Sequence, residues 1–189
     1  MQYDYLVVGS GIIGMTIAYE LLSEDSLLTI AIIDKEDDVA KHASGRNSGV
    51  LHAGFYYTAN SLKAKFTVDG NRLMKKFCNE NNIFVKNTQK IVVAKDEKEL
   101  EGIYELQKRA EINGVDTKVI GEEEVLKIDS NIKTYKKALF SPNTASVDPK
   151  EVCYKLRDIL KEKSVDFFFN TSFEDSNLEY KYLINSAGA

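Results

Sequence analysis

The chain has 189 residues, of which 43% are hydrophobic and 29% charged, and its formal net charge is −4. This composition is typical of a globular protein, and the acidic balance, with no Lys/Arg cluster, excludes a generic nucleic-acid-binding surface. No apolar run approaches the ~18 residues of a membrane span, and the N-terminus lacks the basic start of a signal peptide.

The chain begins with a strand, a helix and a second strand. Residues 3–8, "YDYLVV", predict the first strand, and residues 12–23 predict a helix with Ile13, Ile17, Leu21 and Leu22 on one face. Residues 27–34, "LLTIAIID", form a nearly continuous apolar run, which is typical of a strand buried on both faces. Together they predict a βαβ unit of about 30 residues.

The middle of the chain predicts a long loop followed by mixed elements. Residues 35–60 are polar and rich in Gly, Ser and Asn, whereas residues 61–82 resume helical spacing. That spacing runs through Leu62, Phe66, Leu73 and Phe77. Residues 90–94 predict a strand, and Asp96 with Glu99 predicts a capping box for a helix that ends at Asn113-Gly114.

The last part predicts a helix and two strands. Residues 115–147 mix a short strand, a short acidic helix and turns. Asp148, Pro149 and Glu151 predict a helix start, with the helix running to about Lys163. The segments that predict strands are "VDFFFNTSF" (165–173) and "YKYLINSAG" (180–188).

Three glycines follow the first strand. Gly9 suits the tight turn, Gly11 lets a pyrophosphate approach the backbone, and Gly14 allows close helix–strand packing. Asp34 lies 20 residues beyond Gly14, where an acid accepts hydrogen bonds from both ribose hydroxyls. The pattern predicts a dinucleotide site, with a glycine turn that serves packing alone as the alternative.

The next segment favours FAD over NAD. A plain NAD domain would continue into another short helix and strand, whereas residues 42–57 read "HASGRNSGVLHAGFYY". Its glycine, hydroxyl and amide groups suit close contact with a large polar cofactor.

The chain resembles the FAD-dependent oxidoreductases of the D-amino acid oxidase and glycine oxidase type, and within them the L-2-hydroxyglutarate oxidase (dehydrogenase) branch. The matching stretches are "DYLVVGSGIIGM", "IIDKE", "SGRNSGVLHAGFYYTANSLKAKF", "GNRLMKKFCNENNI" and "INSAGA". The resemblance spans the chain, and the segment "NSGVLHAGFYY…SLKAK" is much more specific than the glycine pattern. It implies a Rossmann-like α/β FAD-binding domain with part of a mixed-sheet α+β substrate domain.

The resemblance also implies where non-covalent FAD binds. The glycine turn would hold the pyrophosphate, Asp34 the adenosine ribose, and the backbone of Phe173 the adenine, although plain core packing is the alternative for Phe173. The full set of implied cofactor residues is Gly9, Gly11, Ile12, Ile13, Gly14, Asp34, Lys35, Ser44, Asn47, Gly49, Phe173, Ala187 and Gly188.

Two departures from the family are visible. Only "EDSNLEYKY" separates the implied adenine strand from the "AG" turn, where the family inserts a hairpin or meander. Family members also continue beyond Ala189, so we expect an N-terminal fragment without turnover of its own. Residues 1–82 and 149–189 are expected to form the FAD-binding domain, and 83–148 to be part of the substrate domain.

The implied reaction is oxidation of L-2-hydroxyglutarate, a small 2-hydroxy acid, to 2-oxoglutarate by hydride transfer to flavin N5, while a base takes the hydroxyl proton. His52 is the candidate base, with a structural role as its alternative, and His42 is a weaker candidate. Arg46 and Tyr57 are candidate substrate ligands. For Tyr57, as for Tyr56, aromatic packing is the alternative, and Lys63 and Lys65 fit a solvated helix face better.

Other classes of function stay open. Amino-acid or glycine-type amine oxidation and glycerol-3-phosphate oxidation use the same scaffold, and a non-catalytic nucleotide-binding module is a different class. The electron acceptor, oxygen or the quinone pool, is not defined by the sequence. Cys78 and Cys153 have no metal or redox spacing, so we expect no metal and a cytoplasmic protein. A peripheral contact with the inner face of the membrane stays open.

Overall fold

A computed structural model describes residues 2–188, and they group into two compact units. The first unit comprises Met1–Ser48 and Asp148–Ala189, and the second comprises Gly49–Val147. None of the helices in the described range has the length and apolar character that crossing a membrane requires.

The first unit contains a four-stranded parallel sheet with the order β10-β1-β2-β9. Its elements are β1 (Gln2–Val8), α1 (Ile12–Glu24), β2 (Ile30–Ile33), α5 (Pro149–Glu162), β9 (Asp166–Phe168) and β10 (Glu179–Asn185). The predicted βαβ unit is therefore present. Since β2 lies on one side of β1 and β10 on the other, the strand order reverses beside β1, where α/β sheets bind ligands.

Burial in the first unit follows the sheet. All four residues of β2 are buried, as the apolar run predicts, although the strand is shorter than 27–34 and Leu27 is exposed. The predicted face of α1 is wrong in part, because Ile13 is exposed. The helix instead buries Gly14, Met15, Ala18 and Leu22. Small residues at positions 14 and 18 bring its backbone close to the sheet, which the spacing of the large residues alone did not reveal.

The second unit contains two antiparallel three-stranded sheets, with the orders β3-β8-β4 and β5-β7-β6. Its elements are β3 (Val50–Leu51), α2 (Leu62–Glu80), β4 (Val85–Lys86), β5 (Lys90–Val93), α3 (Glu97–Ile112), β6 (Lys118–Gly121), α4 (Glu122–Ile128), β7 (Lys137–Ser141) and β8 (Ala145–Val147). Phe55, Ile103 and Leu139 belong to one core cluster.

The predicted helix starts are present with their caps. Asp96 accepts a hydrogen bond from the Glu99 backbone N–H at 2.9 Å, and the Glu99 carboxylate accepts one from the N–H of Lys95 at 2.9 Å. Asp148 accepts from the backbone N–H of Lys150 at 2.8 Å. These contacts satisfy N–H groups that a helix start would otherwise leave unpaired.

The grouping of residues differs from the sequence-based division at residue 82. Residues 49–82 lie in the second unit, because β3 pairs with β8 and Val68 of α2 packs against the core cluster that contains Phe55. Helical spacing identified α2 but not what it packs against. Leu62, Phe66 and Leu73, which define that spacing, are exposed.

Candidate functional site

A cleft of about 360 Å³ lies in the first unit beside the carboxyl ends of β1, β2 and β10. It is lined by the glycine turn, by residues 33–35, by residues 40–44, by residues 171–174 and by residues 186–188. Its volume falls in the range of small-molecule sites, roughly 300–1,000 Å³.

The three glycines have different structural roles. Gly9 has a φ of +102°, and a Cβ there would meet the backbone oxygen of Ser186 at 2.5 Å. A Cβ at Gly14 would collide with the Gly9 carbonyl and the Ser186 hydroxyl, so this glycine permits close helix–strand packing. At Gly11 the nearest atom to an added Cβ is the Ser44 Oγ, at 3.1 Å. Gly9 and Gly14 are therefore required by packing, and Gly9 and Gly11 both border the cleft.

Ser186 joins the two strands that flank the reversal of strand order. Its backbone N–H donates to the Val8 carbonyl at 2.9 Å, and its hydroxyl donates to the carbonyls of Val8 at 2.8 Å and Gly9 at 3.2 Å. Sequence reasoning missed this residue, although it stands next to the predicted Ala187-Gly188 turn. The serine fixes the end of β10 against the glycine turn.

The Asp34 carboxylate already accepts three hydrogen bonds from neighbouring residues of the chain. Its Oδ2 accepts hydrogen bonds from the Ser10 backbone N–H at 2.7 Å and the Ser10 hydroxyl at 2.6 Å, and its Oδ1 accepts one from the Glu36 N–H at 3.0 Å. A carboxylate offers about four acceptor positions. The structure therefore leaves about one position for a ligand, where two ribose hydroxyls were expected.

Residues 42–47 form a turn over the start of α1. The Ser44 hydroxyl accepts a hydrogen bond from the Ile12 backbone N–H at 3.0 Å, which places an oxygen where a helix N-terminus attracts anions. The Asn47 amide donates to the carbonyls of Ala43 and Ser44, both at 3.0 Å, and thereby holds the turn. The His42 ring contacts the Glu36 carboxylate at 2.8 Å.

The segment after β9 lies alongside the residues that come directly after β2, and backbone hydrogen bonds join the two. The Asn170 N–H donates to the Glu36 carbonyl, and the Thr171 N–H donates to the Asp34 carbonyl, each at 2.9 Å. Phe173 lines the cleft and is exposed, so it is not a core residue. Thr171, Ser172 and Glu174 also line the cleft and were not singled out from the sequence.

The structure brings together most, but not all, of the residues expected at the cofactor. Those that line the cleft are Gly9, Gly11, Ile13, Asp34, Lys35, Ser44, Phe173, Ala187 and Gly188. Ile12 and Asn47 form hydrogen bonds with the turn that borders the cleft, and Gly14 allows α1 to pack closely against the sheet. Arg46 belongs to the first unit and is exposed, but it does not line this cleft.

Gly49, His52 and Tyr57 belong to the second unit. The backbone carbonyl of His52 accepts a hydrogen bond from the Asn71 amide at 3.2 Å, and the Lys63 Nζ lies 4.6 Å from the centre of the Tyr57 ring. Gly49 has a φ of +64°, a conformation that glycine adopts without strain.

The cleft has the features that the ADP part of a dinucleotide requires. The glycine turn and the start of α1 suit a pyrophosphate, one acceptor position of Asp34 suits a ribose hydroxyl, and the Phe173 ring offers an apolar wall. The residues present therefore fit such a cofactor.

Comparison with known proteins identifies the family of this chain. Residues 4–189 match the family described as "DAO: FAD dependent oxidoreductase". The chain is 38% identical to the L-2-hydroxyglutarate dehydrogenase of Escherichia coli O17:K52:H18 over 169 residues, which is 89% of this chain and 40% of that protein. It is 39% identical to the mitochondrial L-2-hydroxyglutarate dehydrogenase of Dictyostelium discoideum over 163 residues, 85% of this chain and 36% of that protein. The chain thus spans 36–40% of the length of these two relatives.

Two solved structures share the fold. Glycine oxidase from Geobacillus kaustophilus matches with a TM-score of 0.85 at 19% identity, covering 100% of this chain and 56% of that one. The reduced L-α-glycerophosphate oxidase of Mycoplasma pneumoniae, with FAD bound, matches with a TM-score of 0.84 at 22% identity, covering 96% of this chain and 52% of that one. With the match over residues 4–189, the chain belongs to the DAO family of FAD-dependent oxidoreductases.

Proposed function

We propose that this protein oxidises L-2-hydroxyglutarate to 2-oxoglutarate with FAD as cofactor. The observation that carries the proposal is the identity of 32–43% to several curated L-2-hydroxyglutarate dehydrogenases over 78–93% of this chain. The cleft described above supplies a matching place for the cofactor.

Each part of FAD is assigned to residues at the cleft. The backbone of Gly11 and the start of α1 hold the pyrophosphate, Ser44 contacts it from the turn, and Asp34 accepts one hydrogen bond from the adenosine ribose. Phe173 packs beside the adenine. The turn after β10, at Ala187-Gly188, closes the cleft on the cofactor.

Binding is proposed to be non-covalent. In the part of the chain that the structure describes, neither cysteine lines the cleft, and Cys78 and Cys153 are both buried. Burial raises the pKa of the Cys153 thiol to about 11, which disfavours the reactive thiolate form.

The residues proposed to act on the substrate lie within the polar segment of residues 35–60. FAD, when bound, supplies the acceptor for the hydride that leaves Cα of the substrate. His52 takes the hydroxyl proton, Arg46 binds a substrate carboxylate, and Tyr57 donates a phenolic hydrogen bond to it. We further propose that the first unit binds FAD and the second contributes to the substrate site.

A cytoplasmic location is also proposed. Cys78 and Cys153 are both buried, and Cys153 is a free thiol, as expected for a protein in a reducing compartment.

Anaerobic stopped-flow measurements on the protein expressed from its complete reading frame test this function. Mixing the FAD-loaded protein with L-2-hydroxyglutarate should bleach the flavin absorption, and the D-enantiomer should do so much more slowly. Faster bleaching by glycine or glycerol 3-phosphate would assign a different donor and contradict the proposal. Reoxidation of the reduced protein by oxygen or by a quinone analogue then identifies the electron acceptor.

The variant His52→Gln provides a specific test of the base. Loss of general-base catalysis should lower the rate of flavin reduction by about 10²–10⁴-fold, with FAD still bound. His42→Gln is the matched control, because it is the other histidine of the same loop. An unchanged rate for His52→Gln would remove His52 from the mechanism.

A further inference from the structure

The loop of residues 37–45 forms one wall of the cleft, which residues 40–44 line. Ala40 has a φ of +59°, in the left-handed region that a residue with a Cβ seldom adopts. A Cβ at Gly45 would collide with the Ala40 carbonyl oxygen, so these two parts of the loop are packed closely. Such a conformation persists only where surrounding contacts hold it in place.

Arg157, on α5, provides such a contact. Its Nη1 donates a hydrogen bond to the Asp38 Oδ1 at 2.7 Å, and the same oxygen accepts one from the Val39 N–H at 2.8 Å. The side chains of Arg157 and Asp38 are 21% and 33% exposed, respectively. Because this pair is partly buried, solvent screens it less than it screens an exposed pair. The carboxylate thus connects α5 to the loop, next to Val39, which is buried.

Helix α5 is held in place by its buried face, which is formed by Val152, Cys153, Leu156 and Leu160. The helix also lies beside α1 and beside the turn of residues 43–45. The Arg157 guanidinium is oriented by Asp158, whose Oδ1 lies 2.9 Å from Nη2, and by the Tyr154 ring, whose centre is 5.3 Å away. The donor that reaches Asp38 therefore extends from a fixed support.

We propose that Arg157 is a positioning residue for FAD: through Asp38 it holds the 37–45 loop, before the cofactor binds, in the conformation that contacts the ADP part of FAD. Neither Arg157 nor Asp38 is among the described residues that line the cleft, so both act through the loop. A loop that is ordered beforehand loses less conformational entropy when the ligand binds, and the affinity is higher for that reason. This inference rests on the assignment of FAD to the cleft and is independent of the substrate.

Titration of the apoprotein with FAD, followed by flavin fluorescence, tests the role of Arg157. The protein is expressed from its complete reading frame. Arg157→Met keeps the apolar stem but removes the hydrogen bond to Asp38. It should weaken FAD binding by about tenfold, as expected when the loop is correctly ordered in about a tenth of the molecules. Arg157→Lys should retain part of the affinity, because its ammonium can still donate to Asp38.

Two neighbouring aspartates of the loop provide a matched pair of variants. Asp38→Ala should also weaken FAD binding, and the double variant with Arg157→Met should be about as weak as Asp38→Ala alone, because both changes remove the same contact. Asp37→Ala is the control. Asp37 pairs with Lys41 at 2.7 Å in the same loop, but this pair is exposed, so FAD affinity should change little.

Hydrogen exchange of the apoprotein separates positioning from a general loss of stability. The Gly45 N–H donates to the His42 carbonyl at 3.0 Å and therefore reports on the loop. Its exchange should be faster in Arg157→Met than in the unmodified protein, and saturating FAD should restore slow exchange. The amides of β1 and β2 should change much less.

Ser44→Ala, a change in the cleft itself, distinguishes the ways in which this inference can fail. Unchanged FAD affinity in folded Arg157→Met, with weaker binding in Ser44→Ala, would contradict the role of Arg157 and leave FAD assigned to the cleft. Unchanged affinity in both variants would remove that assignment and this inference with it. Faster exchange throughout the sheet would also overturn the positioning role, because Arg157 would then stabilise the whole unit. None of these outcomes depends on which donor reduces the flavin, so the proposed oxidation is tested separately.

Discussion

Replacing Asp34 by asparagine should weaken both the fold and the binding of FAD. The Asp34 carboxylate accepts from the N–H and hydroxyl of Ser10 with one oxygen and from the N–H of Glu36 with the other. Asparagine has one acceptor oxygen, and its NH₂ group only donates. If its oxygen serves Ser10, its NH₂ group faces the N–H of Glu36, so one donor loses its partner.

The magnitudes follow from these contacts. The N–H of Glu36 is partly buried, and leaving a fully buried donor without an acceptor costs about 1–3 kcal/mol, so we expect the free energy of unfolding to fall by roughly the lower end of that range. The acceptor position left for the ribose is on the same oxygen as the Glu36 contact. Losing a charge-assisted hydrogen bond there costs about 1.5–3 kcal/mol, or roughly ten- to a hundred-fold in FAD affinity.

Urea unfolding of the apoprotein and titration with FAD measure the two effects separately. Asp37→Asn is the control, because Asp37 lies in the same loop and forms an exposed pair with Lys41 at 2.7 Å. An exposed pair contributes little to stability because solvent screens it, so this variant should change neither quantity much. If folded Asp34→Asn bound FAD with unchanged affinity, Asp34 would not contact the ribose.

Three further predictions concern packing, the cofactor and pH. Gly14→Ala should lower the free energy of unfolding by about 1–3 kcal/mol, because the added methyl meets the Gly9 carbonyl. Urea unfolding compares it with Gly70→Ala, where nothing lies within 4 Å and stability should rise by about 0.5–1 kcal/mol. Acid precipitation of the flavin-loaded protein should release FAD to the supernatant, and flavin in the pellet would indicate a covalent link. Burial, with the hydrogen bond to Asp166, raises the pKa of Tyr3 from 10.0 to about 12. The protonated phenol therefore stabilises the fold fully below pH 10, and this contribution should disappear as the pH rises through about 12. Tyr3→Phe should flatten the unfolding free energy over that pH range, and an equal slope in both proteins would contradict the assignment.

Local chemistry made several elements predictable from the sequence. The caps at Asp96 and Asp148 depend on residues within four positions, so the pattern of side chains was sufficient. The βαβ unit was equally evident, because β2 is apolar along its length and the glycine turn follows β1 directly.

Contacts between distant residues were not predictable in the same way. Ser186 bonds to the Gly9 carbonyl across 177 positions, a contact that exists only because β10 pairs with β1 in one register. The two contacts of Ser10 with Asp34 likewise need the ends of β1 and β2 side by side. The sequence could suggest an acid for the ribose, but not that three of its acceptor positions were taken.

Periodicity by itself determined that residues 62–80 form a helix, and the tertiary structure decided which face of it is buried. An apolar row lowers the free energy only when another surface covers it, and spacing contains no information about that surface. In α2 the core contacts fall to Ala64, Val68 and Cys78, while Leu62 and Phe66 remain in solvent. The sequence alone therefore established the helices, the βαβ unit, the glycine turn and the family. The short strands β3 and β4, the number of strands in residues 115–147, the buried faces, the grouping of residues 49–82 and the hydrogen bonds of Asp34 depended on which distant segments the fold brings together.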